Sequence, residues 1–499
     1  MNKLEMKDWL LLLLLLVFYT FGASMFFDSF IDDAFISFRY SENLFSGNGF
    51  VYNLNDKVEG TTNFLWVILI GIFNKLAFTD IETSTLLLSY LLIISSIFLV
   101  FISAKKMLDN SWFAFLATLT LVANADFLLM SLCGLEVPLV NFLLTLLVFY
   151  SLKQKTSISR ICIFLLALTR PEFMLFILIY ELSGVFNTEE RWFQREILQG
   201  ILFSLIIIFT ITSIRFIYFG DALPNTFYAK TNAQTSVFYG LNEFFAFLKS
   251  GGWLFAIVPA VFFSQRSPVE KRIMIFCFSY LVYIIVLGRN SLGYFRFYVH
   301  ILPAIAPFLV HAFNKNRSFI TNSVIASAIM FSPFFSFYYS DFHSMREIQN
   351  FRNECWRNIG NWLLENTTKD CLIALNPIGQ IGYFSKRPIV DMLGLVDRTI
   401  AKSPLKEGRF KIFGHEKFNT EYVLTRKPDI IILRGALLQP KPFLMDDYLK
   451  TESPFLGDNE LLKNSDFQKG YKLLNVPINN LFFPLFCRIA SEKVNGKFK

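Results

Sequence analysis

Twelve apolar runs fill the first 340 residues of the 499-residue chain, near positions 8–27, 62–78, 84–104, 112–130, 136–152, 159–170, 171–186, 197–219, 252–265, 273–288, 297–313 and 318–338. A helix needs roughly 20 apolar residues to cross the hydrocarbon core of a bilayer. Several runs approach that length, so the expected fold is an α-helical polytopic membrane protein. Only 17% of the residues are charged, against about 25% in soluble domains. The net charge of +8 does not point to nucleic acid, because Lys and Arg collect in short cytoplasmic loops. Residues 341–499 are charged, broken by Pro and Gly, and carry short β-like runs. The expected organisation is therefore a transmembrane module over 1–340 and an extracytoplasmic α/β domain over 341–499.

Basic clusters test which runs span. They fall at Lys3/Lys7, Lys105/Lys106, Lys153/Lys155/Arg160, Arg191/Arg195, Arg266/Lys271/Arg272 and Lys315/Arg317. Residues 28–60 instead hold six acids (Asp28, Asp32, Asp33, Glu42, Asp56, Glu59) and two bases (Arg39, Lys57). Putting the basic clusters inside and this loop outside makes run 84–104 one crossing and keeps run 62–78 from spanning. It also makes 159–186 a hairpin with "TRPEF" (169–173) at its tip, where Pro171 and two charges suit a turn. The result is about 11 crossings, with the N-terminus inside and the C-terminal domain outside. The first helix is read as an uncleaved span rather than a signal peptide. The first outer loop (28–83), "NADFLLMSLCGLEVP", "TRPE", "FGDALPNTFYAK" and "GRNSLGYFRFYV" then share the outer face. A transporter or lipid-sugar flippase is the alternative reading, but it would place its polar groups nearer the midplane in broken helices.

The sequence from Ile31 reads as a helix at the interface, with Ala34, Phe35, Phe38 and Phe45 on its apolar side. Asp32 and Asp33 stand at its start, where a carboxylate meets free N–H groups. Neighbours on a helix diverge by about 100°, so one acid can cap while the other faces a cleft. Taken alone, the pair reads as a cap. "GNGFVYN" (47–53) predicts a glycine turn and a short strand, and "EGTTNFLW" (59–66) a helix capped by Thr61 or Thr62. Arg170 and Glu172 are costly near apolar surroundings unless paired or used. Arg215, Lys230 and Arg296 read singly as snorkelling cations; gathered around a pocket, the four could hold a phosphate.

In the tail, runs 371–375, 388–393 and 429–433 predict strands separated by helices near 378–385 and 418–426, a small unit with parallel strands. "GQIG" (379–382) lacks the full dinucleotide fingerprint. Asp391, Asp397 and "GHEK" (414–417) read as loop residues. The six cysteines form no C-x-x-C pair; Cys355 and Cys371 are read equally as a disulfide or as two buried thiols.

Taken together, "DDAFISFRYSENLFSGNGFVYNLNDKVEGTTNFLW", "GLEVPL", "LTRPE", "GDALPNTFYAK", "RFYVHILP", "IGYFSKRPIVDMLGLVDRTIA" and "GHEK" resemble the GT-C superfamily of integral-membrane glycosyltransferases. The likeness is greatest to the branch holding the terminal β-(1→2)-arabinofuranosyltransferases of mycobacterial cell walls. The chain departs from that pattern at "RNSLGY" (289–294), where relatives often carry a "DWM"-like element. The resemblance implies an inverting transferase in a bacterial inner membrane, with its active site outside. It implies a polyprenyl-phosphate-sugar donor and an envelope glycan, glycolipid or glycoprotein acceptor. It makes Asp32 or Asp33 the catalytic base, with Asp32 the base and Asp33 the cap as the preferred split. Arg170, Lys230, Arg296 and Arg215 would bind the donor phosphate. Arg39, Tyr40, Glu59, Asn63, Glu136, Glu172, Asn225, Tyr228, Asp391 and His415 would bind or position substrate. No cofactor is demanded; some relatives use a divalent cation, for which Asp32, Asp33 and Glu59 offer hard oxygen ligands.

Overall fold

The structure is a computed structural model that describes residues 4–27, 29–184, 191–230, 237–250, 267–288, 295–312, 342–405, 415–450 and 452–494, with isolated positions between 322 and 331. The expected runs 252–265 and 318–338, and the "RNSLGY" departure apart from Gly288 before it, lie largely or wholly outside the described residues. The chain forms two compact units. One comprises Met1–Ser29, Asn63–Ile211 and Thr235–Arg346; the other comprises Phe30–Thr62, Thr212–Gln234 and Glu347–Lys499. A single cut near 340 therefore misses two excursions. Residues 30–62 and the 212–234 segment group with the C-terminal part, where polar side chains such as Arg39 and Asn225 find partners.

The first unit is helical. Among the described residues, Met6–Ser24, Ile81–Leu108 and the Arg195–Phe219 stretch are long and apolar enough to cross a membrane. Ile81–Leu108 would reach about 42 Å at 1.5 Å per residue. Asp80 caps its start by accepting from the Thr83 N–H at 2.9 Å, and Lys105 and Lys106 sit in its last turn, where the helix dipole favours cations. Phe64–Ala77 has 14 residues and is too short to span unaided. It starts at Asn63 rather than at Thr61 or Thr62. The run 112–130 is not one rod. Ser111–Val122 and Ala125–Leu132 meet at a 65° bend, because the Asn124 side chain accepts from the Phe127 N–H and opens a new helix. Thr156–Thr169 ends at Arg170, whose extended backbone (φ −147°, ψ 126°) is what a residue before proline prefers. Phe173–Leu182 then restarts the chain, so the interruption predicted at "TRPEF" is present. Val137–Leu152 and Pro268–Leu287 complete the longer helices of this part, the latter opened by a capping box of Ser267 and Glu270.

The second unit is built on a five-stranded sheet of order β2-β1-β3-β5-β4. These are β1 Ile373–Leu375, β2 Ile389–Asp391, β3 Ile430–Ile431, β4 Tyr471–Ile478 and β5 Leu481–Arg488. β1 pairs parallel with β2 and β3, as expected, while β5 runs antiparallel to β3 and β4. Helices Ile378–Ser385 and Thr420–Thr425 fall where the sequence put helical stretches. The core behind the sheet gathers Ala374, Val390, Ile431, Leu461, Phe467 and Phe486. Cys355 and Cys371 are buried free thiols, not a disulfide.

Asp32–Phe45 is a helix of this unit, and it is not a half-exposed interfacial one. Every residue from Ala34 to Ser41 is buried. Phe35 packs on the rings of Tyr383 and Phe384, with centroids 5.7 and 5.5 Å away. No strand follows at 47–53; after Gly47 and Gly49, both in the left-handed region (φ 83° and 85°), the segment is an irregular loop. Side chains of the preceding helix hold it, since Asn43 Nδ2 donates to the Val51 and Tyr52 carbonyls.

Candidate active site

The acid pair at the start of Asp32–Phe45 is divided by its surroundings. Ile31 is the N-cap residue and no side chain caps the helix, so neither acid serves its own helix that way. The Asp32 carboxylate instead accepts from the Gly379 N–H at 2.9 Å and the Gln380 N–H at 2.7 Å, capping the first turn of Ile378–Ser385. Burial pushes its pKa up to about 7, although the two amides and Arg352 pull it down. Asp33 is partly buried, and among the described residues no hydrogen bond or ion pair engages its carboxylate. Asp32 therefore caps a helix that starts 346 residues away, and Asp33 is not held in that way.

Lys230 and Asp33 both act electrostatically on His415. Burial, and then the positive charge of Lys230, lower the His415 pKa to about 4, while Asp33 and Glu416 act in the opposite direction. The imidazole lies edge-on to Phe455 at 6.2 Å between centroids, and its Nδ1 has no hydrogen-bond partner among the described residues. An acid and a cation thus both influence this imidazole, and all three belong to the second unit. His415 also lines a crevice with Asn376, Met392 and Leu393, residues just beyond the carboxyl ends of β1 and β2.

The other expected site residues of this unit are already engaged. Arg39 donates from Nε to the Tyr52 carbonyl at 2.9 Å and from its two terminal nitrogens to the Gly382 and Arg387 carbonyls, each at 2.7 Å. The Tyr40 hydroxyl donates to the Val58 carbonyl at 2.6 Å and accepts from the Gly60 N–H at 2.8 Å. Glu59 pairs with Arg215 at 2.6 Å. Asn225 Nδ2 donates to the Gly394 and Leu395 carbonyls. Asp391 accepts from the Leu393 and Val396 N–H groups and so shapes the 391–397 loop, while burial pushes its pKa up to about 7. Tyr228 lies under Lys402, its ring centroid 4.7 Å from Nζ. Asp32, Asp33 and Glu59 do not fit a metal site. Asp32 is held by amides and Glu59 by Arg215, and no group of three or more His, Cys, Asp or Glu suited to a metal occurs among the described residues.

A separate charged cluster lies within the membrane unit. Glu136, fully buried, accepts from Asn63 Nδ2 at 3.0 Å, from Arg170 at 3.0 Å and from Arg296. Arg170 also donates to Glu172 at 2.8 Å. Two arginines thus face two glutamates and their charges cancel. Of the cations expected to hold a phosphate, Arg170 and Arg296 bind Glu136 in the first unit, and Arg215 binds Glu59 in the second. Sequence reasoning missed Gly379, Gln380 and Asn353; the signal was the "GQIG" run, set aside as an incomplete nucleotide motif.

The chain has a mostly helical membrane fold with a small C-terminal sheet, shared with the solved structures that follow. The chain is similar to the solved structure of ArnT from Cupriavidus metallidurans bound to undecaprenyl phosphate, at 11% identity with a TM-score of 0.64, covering 98% of this chain and 99% of that one. It is also similar to the apo form of that protein, at 10% identity and a TM-score of 0.61, covering 96% and 97%. Residues 343–489 match a family model described as a domain of unknown function, DUF8728. No curated protein matches the chain. The finer likeness to the arabinofuranosyltransferase branch is not carried by these matches.

Proposed function

We propose that the chain is an inverting glycosyltransferase. It moves a sugar from a polyprenyl-phosphate carrier to an envelope glycan, glycolipid or glycoprotein on the outer face of the inner membrane. The observation that carries this reading is the Asp33 carboxylate, unengaged among the described residues and acting with Lys230 on His415, on a fold shared with a protein solved with undecaprenyl phosphate. Asp33 removes the proton from an acceptor hydroxyl as that oxygen forms its bond to the anomeric carbon. The bond from that carbon to the phosphate oxygen breaks, and polyprenyl phosphate leaves with the electron pair. Lys230 stabilises the charge growing on it. A single displacement inverts the anomeric centre. The arabinofuranosyl resemblance makes a pentofuranose the first sugar to try.

The test is sugar transfer by the full chain in membranes, with lipid-linked donor and acceptor supplied. Asp33→Asn should lose roughly 10²- to 10⁴-fold in turnover, the range of a positioned general base. Full turnover in Asp33→Asn removes the mechanism.

A further inference from the structure

We propose that the start of the Ile378–Ser385 helix is a positioning element for Asp33, acting through Asp32. The inference rests on the reading of Asp33 as the base.

Asp33 occupies the first turn of a helix that has no side-chain cap of its own, and uncapped helix ends fray. The chain supplies the missing order from far along the sequence. Both oxygens of Asp32 are held by adjacent amides of Gly379 and Gln380, a two-point contact that fixes direction as well as distance. Successive residues on a helix are set about 100° apart. Holding the Asp32 side chain therefore fixes the rotation of that turn about its axis, and with it the bearing of Asp33.

The backbone approach is equally close. A Cβ added to Gly379 would lie 1.9 Å from the Asp32 carbonyl oxygen, and one added to Gly382 would lie 1.9 Å from the Tyr52 hydroxyl. The two glycines of "GQIG" thus form a bare face against which the first outer loop lies. Tyr52 OH seals it by donating to the Ile378 carbonyl at 2.6 Å.

A hydrogen-bond circuit closes around the same turn. Gln380 Nε2 donates to Asn353 Oδ1 at 2.6 Å, which also accepts from Gln349 Nε2 at 3.1 Å. Gln349 Nε2 donates on to the Phe30 carbonyl at 2.6 Å. Residues 30 and 32 are thereby gripped from both sides.

The experiment is steady-state transfer by the full-length protein in detergent, varying donor and acceptor separately, across pH. Gly379→Ala should push the turn aside and lower kcat on the order of 10²-fold, the cost of a displacement near 1 Å at a reacting group. The KM for the lipid-linked donor should stay within about twofold, and the acidic limb of the wild-type pH–rate profile should persist. Asp32→Asn, which leaves Asp33 intact and keeps one acceptor oxygen, should lose less than Asp33→Asn and keep the same limb. A folded Gly379→Ala or Asp32→Asn with wild-type kcat, alongside an inactive Asp33→Asn, overturns this inference and leaves the base reading intact. An Asp32→Asn that loses the pH limb also overturns it, by making Asp32 the base. Full activity of Asp33→Asn overturns the base reading itself.

Discussion

Glu136 in the membrane unit receives three donors, from Asn63, Arg170 and Arg296, whereas Asp33 in the other unit receives none among the described residues. Both are carboxylates in motifs that sequence resemblance marks as functional, and their surroundings give them different capacities. An acid whose lone pairs are filled by two guanidinium groups and an amide holds helices together and cannot take a proton cheaply. An acid left unfilled costs stability where it is partly buried, and the proposed function gives Asp33 a role that would offset that cost.

That contrast predicts a crossed pattern. Glu136→Gln leaves two buried guanidinium groups facing a neutral amide, and breaking a buried ion pair costs about 3–5 kcal/mol. Thermal unfolding in detergent should show this as a large fall in midpoint. Asp33→Asn should shift the midpoint by no more than about 0.5 kcal/mol, the range of substitutions away from such networks, while removing turnover. If Asp33→Asn destabilises as much as Glu136→Gln, the distinction between the two acids is lost.

Lys230 sharpens the same comparison from the cationic side. Arg170 and Arg296 are paired with Glu136 and Glu172, and Arg215 with Glu59, whereas the proposed function gives the phosphate contact to Lys230. Lys230→Met should lower turnover on the order of 10²-fold, as loss of one group stabilising a developing anion does. Lys230→Arg should restore part of it, and measured kcat with saturating donor is the readout. An unchanged kcat in Lys230→Met would return the leaving group to the arginine cluster.

The sequence showed its elements better than its partnerships. β1, β2 and β3 were legible as short apolar runs bounded by turn residues, and the break before Pro171 followed from proline's effect on Arg170. The β4–β5 hairpin was hidden by Pro477 and Pro484, which argue against strands. Pro477 sits on edge strand β4, and Pro484 lies outside the two-residue pairing of β5 with β3. The two-residue Asn479–Asn480 turn, with Asn479 at φ 54°, was its legible sign. At the site, residue types stood out and their engagement did not. Arg39, Tyr40 and Asn225 all spend their polar atoms on backbone carbonyls, and a carbonyl leaves no mark in a sequence. Asp32 was indistinguishable from Asp33 for the same reason, since its partners are two amides 347 and 348 positions away.

The smallest effect concerns His415, the neutral member of the Asp33 neighbourhood. Its pKa falls from an ordinary 6.5 to about 4 in the folded protein, through burial first and then Lys230. Between those values the unfolded chain binds a proton that the folded imidazole refuses, so stability rises with pH across the window. The contribution is fully present above pH 6.5 and is lost as the pH falls toward 4. The ring is only partly buried, so solvent screening should leave about 1 kcal/mol of the effect rather than the full shift at 1.36 kcal/mol per unit. His415→Asn should therefore flatten the fall in unfolding midpoint between pH 6.5 and 4.5, with little change at pH 7.5. Glu136→Gln, by contrast, should lower the midpoint about equally at both pH values, since its loss is one of pairing and not of titration. A His415→Asn curve parallel to wild type would mean that the imidazole is freely solvated, and the electrostatic neighbourhood drawn around Asp33 would lose its third member.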